Sequence, residues 1–336
     1  MAKKQTTKRE FDWRSYSKPP RLLSAAQESE LASGVLAPLL TWARFRDDVR
    51  FEIRARQAAI YLLGTLLLRI RGAEQPFRGE IDANIRLART ERSGAERLES
   101  WPLSTPAEVA LCVSELDALA ALTARFAAHA EPVERAVLHA FAGANGGFED
   151  SDFVVVDTEY QYGHRRFDFV GMKRAEGVSG FPGFTTPRLV VGQLKSAGRP
   201  LTGASGLASH ASDFAEFARA LSGTHLQRAK VELDQLVGQK QRLGLLPEEI
   251  PFRHFTADNP EYLVVFSVAD VADPAFDAPI ADLHDRLVAR HYQPELLRLA
   301  SIAPRGATES AESLELRAES AMPYKAFKSH RRSLRG

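Results

Sequence analysis

The sequence predicts an α/β protein, with a mixed sheet flanked by helices in its second half and an all-α domain before it. Three observations predict this. Apolar residues recur at three- and four-residue spacing from about residue 24 to 141. Strand-like and helix-like segments alternate after about residue 150. Between the halves lies AGANGGFEDSD (142–152), whose Gly, Asn and Asp mark a linker or turn. A length of 336 residues favours two domains, each large enough to bury a core. The expected boundaries are a basic tail over 1–22, a helical domain over 23–145, the α/β domain over 146–303, and a polar then basic tail over 304–336.

In the first half, SAAQESELASGVLAPLL, RFEIRARQAAIYLLGTLLLRI and TPAEVALCVSELDALAALTARFAAHA each read as helical. The third carries a start signal, with Thr105 as cap, Pro106 at the first helical position and Glu108 where a capping box requires it. The run AAIYLLGTLLL (58–68) is far shorter than the ~20 residues that cross a bilayer, so it reads as a buried helix and no membrane partner is expected. In the second half, strands are expected near 153–161, 165–171, 188–195 and 261–268, and helices near 206–221, 226–243 and 278–299.

Composition bounds the function. With 44% hydrophobic and 26% charged residues the chain is globular rather than disordered. Cys112 is the only cysteine, which excludes a disulfide framework or thiolate metal cage and suits a reducing compartment. The start, MAKKQTTKREFDW, lacks the apolar core of a signal peptide, and a cytoplasmic location is expected. The net charge of +1 conceals basic ends: residues 1–22 carry seven Lys or Arg against two acids, and 323–336 carry five and no acid. Such ends suit a phosphate-rich partner through counterion release, or are simply solvated.

The acids lie in the strand-forming segments. In YQYGHRR a two-residue turn at Gly163-His164 sets a hairpin register in which Tyr162 faces Arg165, Gln161 faces Arg166, Tyr160 faces Phe167 and Glu159 faces Asp168. Alternation puts Val155, Asp157, Glu159, Arg166 and Asp168 on one face and Val154, Val156, Tyr160, Phe167 and Phe169 on the other. Two carboxylates so opposed repel unless a cation or proton lies between them. In RLVVGQLK, Gln193 and Lys195 share a face, and pairing beside the second strand brings them to Asp168. A hard divalent cation such as Mg²⁺ asks for such oxygens, and the lysine can hold water or a phosphate.

The run RRFDFV…LVVGQLK resembles the PD-(D/E)xK nuclease superfamily in its QxK, Mrr-like variant, in which an acid on the second core strand precedes an (E/Q)-x-K triplet on the third. The resemblance covers about residues 150–270. Asp168 matches the acid, Lys195 the lysine and Gln193 the usual glutamate position. Glu159 matches an extra acid found on the first strand or preceding helix. It implies a restriction-endonuclease-like fold and Mg²⁺- or Mn²⁺-dependent hydrolysis of DNA, in phage defence or restriction. Glu159, Asp168, the Gln193 amide oxygen and the Leu194 backbone carbonyl would hold the metal, and Lys195 would position or deprotonate water. A homodimer or higher oligomer is implied. Gln193 leaves the set one charge short, so the competing reading is a non-catalytic nucleic-acid-binding or assembly protein on a degenerate nuclease fold.

Arg165, Arg166 and, in SAGRPLTGASG, Arg199 are candidate phosphate ligands. On the helix LQRAKVELDQLVGQKQRL, Gln235 and Gln239 are second-tier candidates, either beside the site or on a solvated face. His210 and Asp213 read as a hydrogen-bonded surface pair, since a metal would want more partners.

Overall fold

The computed structural model describes residues 21–82, 98–127, 134–163, 165–196, 200–220, 224–268, 270–302, 316 and 320–335. Helices α1 (Ala25–Ala32) and α2 (Ala37–Arg44) lead into strands β1 (Val49–Arg54), β2 (Gln57–Leu62), β3 (Thr65–Arg71), β4 (Arg78–Asp82) and β5 (Leu98–Pro102). Helices α3 (Pro106–Ala127) and α4 (Glu134–Ala144) follow. The second half runs β6 (Phe153–Tyr162), β7 (Arg165–Lys173), β8 (Arg188–Ser196), α5 (Leu207–Ala220), α6 (Thr224–Arg242), β9 (Glu261–Ser267), α7 (Asp277–Ala289), β10 (Leu297–Ile302), β11 (Met322–Pro323) and α8 (Tyr324–Ser333).

The mixed sheet flanked by helices is present, but the first half is not all-α. Its strands form a five-stranded antiparallel sheet in the order β1-β2-β3-β4-β5. RFEIRARQAAIYLLGTLLLRI, read as a helix, is three strands joined by two-residue turns at Ala55-Arg56 and Leu63-Gly64. All four turn residues have positive φ (39°, 64°, 48° and 79°), the primed geometry that matches strand twist. Three of the four are not glycine, so the turn chemistry that would have interrupted the helical period is absent from the sequence. AAIYLLGTLLL is therefore a buried hairpin rather than a buried helix. The capping of α3 is as its sequence predicts: Thr105 Oγ1 accepts the Glu108 N–H at 3.3 Å, and the Glu108 carboxylate accepts the Thr105 N–H at 3.0 Å.

The second sheet has six strands in the order β11-β10-β9-β8-β7-β6. β6, β7 and β8 form an antiparallel meander, and β8, β9 and β10 run parallel, linked through α5 and α6 and then α7. The segment expected as one helix over 278–299 divides into α7 and β10. The tails are ordered where described. Arg21 is 5% exposed, and α8 docks through Phe327 and Arg331, at 1% and 2%; residues 1–20 and most of 304–319 lie outside the described residues.

Two apolar clusters sandwich the second sheet. On one side Val137, Leu138 and Phe141 of α4 pack on Phe153, Phe169, Val190, Leu194 and Val265. On the other, Phe214 and Phe217 of α5 and Leu233 and Leu236 of α6 join Phe167, Val191 and Tyr262. That second cluster continues into Ile53, Leu68 and Leu116, so the core does not break at residue 145. Among the described residues no helix is long and apolar enough to cross a membrane.

Candidate active site

Asp168 of β7 and the Gln193-Leu194-Lys195 triplet of β8 come together at one end of the β7/β8 ladder. The ladder runs from Lys173↔Arg188 to Phe169↔Gly192 and stops. There the Asp168 Oδ2 accepts the Leu194 backbone N–H at 2.8 Å, so a carboxylate takes the place of a strand carbonyl. The strands approach closely because residue 192 is glycine: a Cβ there would lie 2.0 Å from the Phe169 ring. Gln193 is 1% exposed and its Nε2 donates to the Arg166 carbonyl at 3.3 Å. Lys195 is 4% exposed, and its Nζ donates to the Ser205 carbonyl ahead of α5 at 2.9 Å.

Burial pushes the Asp168 carboxyl up to about 6. The Leu194 N–H opposes the rise, Glu134 adds to it, and Lys195 and Arg166 oppose it. Glu134, in the first turn of α4, is a second carboxylate whose charge acts on Asp168. Its sequence sign is slight. Pro132 marks a helix start, but nothing local ties that helix to a strand so far along the chain. Burial, with the charge of Lys195, holds the imidazole of His210 on α5 down to about 4.

The hairpin register is observed for Tyr162↔Arg165, Gln161↔Arg166 and Tyr160↔Phe167, but the ladder passes from Tyr160↔Phe167 to Thr158↔Phe169 without Glu159 and Asp168. Glu159 has φ +50°, which ends the alternation on which its facing was based; a bulge between Val155 and Asp157 lies farther along, past the Asp157↔Val170 pair. Phe167 and Phe169, expected to share a face, lie in opposite clusters. The Glu159 carboxylate is held by Arg135 (Nη2 to Oε1, 3.1 Å) and Arg166, with Arg54 at 3.9 Å from the other oxygen. Burial opposes its ionisation, but these three guanidiniums keep it below the ordinary carboxylate range.

Asp157 likewise belongs to the junction between the two sheets. Arg21 reaches it at 2.6 Å and Arg54 of β1 at 2.7 Å. Beside it the fully buried Glu52 takes Lys240 of α6 at 3.1 Å, and Lys240 also donates to the Val156 carbonyl at 2.7 Å. The acids of VVVDTEYQY thus hold edge strand β6 of one sheet to edge strand β1 of the other.

The remaining candidates separate. Arg165 is clamped by Asp213 and Glu216 of α5 with its side chain 8% exposed, which breaks the expected His210–Asp213 pair. Arg166 is 62% exposed. Gln235 lies on the exposed face of α6. Gln239 is buried, accepting the Leu23 N–H at 2.8 Å and donating to Glu28 at 2.7 Å, so it fastens the N-terminal segment to α6. Arg199 and His164 lie outside the described residues. Among the described residues no group of three or more His, Cys, Asp or Glu side chains is placed to hold a metal ion. Set beside known protein families, curated proteins and solved structures, the chain matches none of them.

Proposed function

We propose that the protein is a metal-dependent DNA nuclease of the PD-(D/E)xK kind, with its site at Asp168, Glu134, Gln193 and Lys195. The observation that carries this reading is the meeting of Asp168 with Gln193-Leu194-Lys195 on adjacent strands, where the half-buried carboxylate takes the Leu194 N–H at 2.8 Å. A carboxylate shifted towards its protonated form beside a second carboxylate is a place where a cation would restore ionisation. The donors suit a hard ion that keeps several waters: two carboxylates, the Gln193 amide oxygen and the Leu194 carbonyl, with no thiolate. Glu134 takes the part that the resemblance gave to Glu159, whose carboxylate is occupied by arginines.

When bound, Mg²⁺ or Mn²⁺ would lower the pKa of a water to about 7 and offset charge on the phosphoryl oxygens. Lys195, steadied by the Ser205 carbonyl, orients the attacking water and donates to a non-bridging phosphate oxygen. Gln193 holds the end of β8 against the Arg166 carbonyl. A role in phage defence or restriction rests on the resemblance alone, as does assembly into dimers; a cytoplasmic location rests on the N-terminal sequence and the single cysteine.

Supercoiled and linear DNA incubated with the protein and Mg²⁺ or Mn²⁺ tests the reading. Nicking by the parent that falls by ~10²-fold or more in Lys195→Ala, Asp168→Asn and Glu134→Gln supports it. Cleavage equal in the parent and Lys195→Ala sinks it. Gln193 favours one competitor, a nucleic-acid-binding protein on a nuclease fold that has lost a charge from its metal set; DNA binding with no cleavage under either metal would establish that instead.

A further inference from the structure

We propose that Arg135 and Arg166, gathered onto the carboxylate of Glu159, form a clamp for the DNA backbone phosphates flanking the scissile bond. The inference rests on the nuclease reading for its substrate, but its observations are separate from Asp168 and Lys195.

Both guanidiniums converge on one oxygen. Arg135 approaches Glu159 Oε1 through Nε at 3.2 Å and Nη2 at 3.1 Å, and Arg166 through Nη2. Two like charges brought to a single atom repel, and one carboxylate offsets only one of them. Over the whole junction Arg21, Arg50, Arg54, Lys240, Arg135 and Arg166 meet four carboxylates, those of Glu52, Asp157, Glu159 and, through the Arg21 backbone N–H, Glu232, so an excess of positive charge remains. Four of the six cations are turned inward, with side chains 24% exposed or less. The surplus therefore emerges at Arg135 and Arg166, at 42% and 62%, while Glu159 beneath them is 12% exposed. An arginine fork matches phosphate geometry, and one already held by a carboxylate loses little freedom on binding.

Chain position puts the clamp against the site. Arg135 directly follows Glu134 on α4, Arg166 precedes Asp168 by two residues on β7, and its charge acts on both Asp168 and Glu159. Glu159 reaches both arginines from a strand position with φ +50°, a conformation that non-glycine residues seldom take in a strand. Strain of this kind persists where surrounding structure enforces it, often at binding sites.

The test is the affinity of a short fluorescein-labelled DNA duplex, by anisotropy in EDTA, over a series of salt concentrations. Arg135→Ala and Arg166→Ala should each weaken binding about 10-fold and each reduce the slope of log K against log salt by about one. Arg166→Lys should recover the slope but only part of the affinity, since it keeps charge without the fork. Arg46→Ala, at a half-buried arginine paired with Asp48, serves as the control and should change neither. Unchanged binding in both clamp variants, or an equal loss in Arg46→Ala, overturns the inference. So does a parent that binds no DNA in EDTA. Because no metal is present, these outcomes are independent of the Lys195→Ala cleavage assay, on which the nuclease reading stands or falls.

Discussion

Asp168 and Leu194 are joined across β7 and β8 by a bond from a backbone N–H to a side-chain carboxylate, 2.8 Å long, at the point where the strand ladder ends. Asp168 is half-buried, a carboxylate of α4 acts on it, and the cations that act on it are Lys195 and Arg166. The bond favours the ionised form, and burial together with Glu134 favours the protonated one. Burial wins, and the carboxyl rises to about 6.

That balance predicts a pH dependence. In EDTA the native state binds the Asp168 proton more tightly than the unfolded chain does, so its contribution is fully present below the ordinary value of 3.8 and is lost as pH rises through about 6. The loss is on the order of 3 kcal/mol. Asp168→Asn keeps an acceptor for Leu194 and cannot ionise, so it should be more stable than the parent at about pH 8, with the gain disappearing below about pH 4. Adding Mn²⁺ should then raise the Tm of the parent and leave the variant's unchanged. Urea and thermal unfolding across pH measure both, with the parent compared to Asp168→Asn so that the other titrating groups cancel; an advantage of the variant that fails to grow between about pH 4 and pH 6 contradicts the Asp168 assignment.

Lys240 supports the sheet junction. Its ammonium is 3% exposed, between Glu52 at 3.1 Å and the Val156 carbonyl at 2.7 Å. Burial disfavours the Glu52 anion, yet Lys240, Arg54 and Arg50 hold it far below the usual range. Lys240→Met should therefore cost about 3 kcal/mol by leaving Glu52 to Arg54 at 3.3 Å and Arg50 at 3.8 Å, and adding Glu52→Gln should return part of the loss. A double-mutant cycle in urea reads the coupling; additive losses would show that the two side chains act separately.

His139 predicts the opposite slope on the acid side. It lies edge-on to Tyr61 at 4.9 Å, and neither ring nitrogen has a hydrogen-bond partner. Burial lowers its pKa from 6.5 to about 4, so the unfolded chain takes up the proton first. The stability this contributes is present above 6.5 and is lost as pH falls to about 4, on the order of 3 kcal/mol. His210, also held to about 4, behaves likewise. His139→Leu should lower the slope of unfolding free energy between about pH 4 and pH 6.5 by up to one proton, about 1.4 kcal/mol per pH unit, whatever its packing cost, and an unchanged slope would count against a neutral buried imidazole.

Gly64 links the N-terminal sheet to the site. It turns β2 into β3 with φ +79°, and a Cβ there would lie 2.5 Å from the Ala136 nitrogen near the start of α4. Gly64→Ala adds ~1 kcal/mol of left-handed backbone strain to that clash. The first turn of α4, which carries Glu134 and Arg135, must shift. The variant should lose ~2 kcal/mol of stability and also weaken DNA cleavage and binding, although Gly64 lies outside the site. Wild-type behaviour in both assays would separate the N-terminal sheet from function.

The second sheet was legible because each signal it needed is local. β6, β7, β8 and β9 end within two residues of their expected bounds, and the Gly163 turn sets three cross-strand pairs by counting alone. The first half misled because an apolar hairpin and an apolar helix have similar periodicity over short runs, and Ala55-Arg56 carries no turn residue. Glu159 misled for a comparable reason. Alternation assigns a side chain to a face only while φ stays extended, and a left-handed residue within a strand leaves no mark in the sequence.

By itself, then, the sequence determined the α/β class, the meander, and the neighbourhood of Asp168, Gln193 and Lys195, since these follow from period-two alternation and one tight turn. Only the tertiary structure decided the company that the charges keep. It gave Asp157 and Glu52 to the junction of two sheets, Arg165 to the acids of α5, Glu159 to Arg135 and Arg166, and Glu134 to Asp168. A buried charge takes whichever opposite charge the fold brings within reach, and the fold draws those partners from distant parts of the chain.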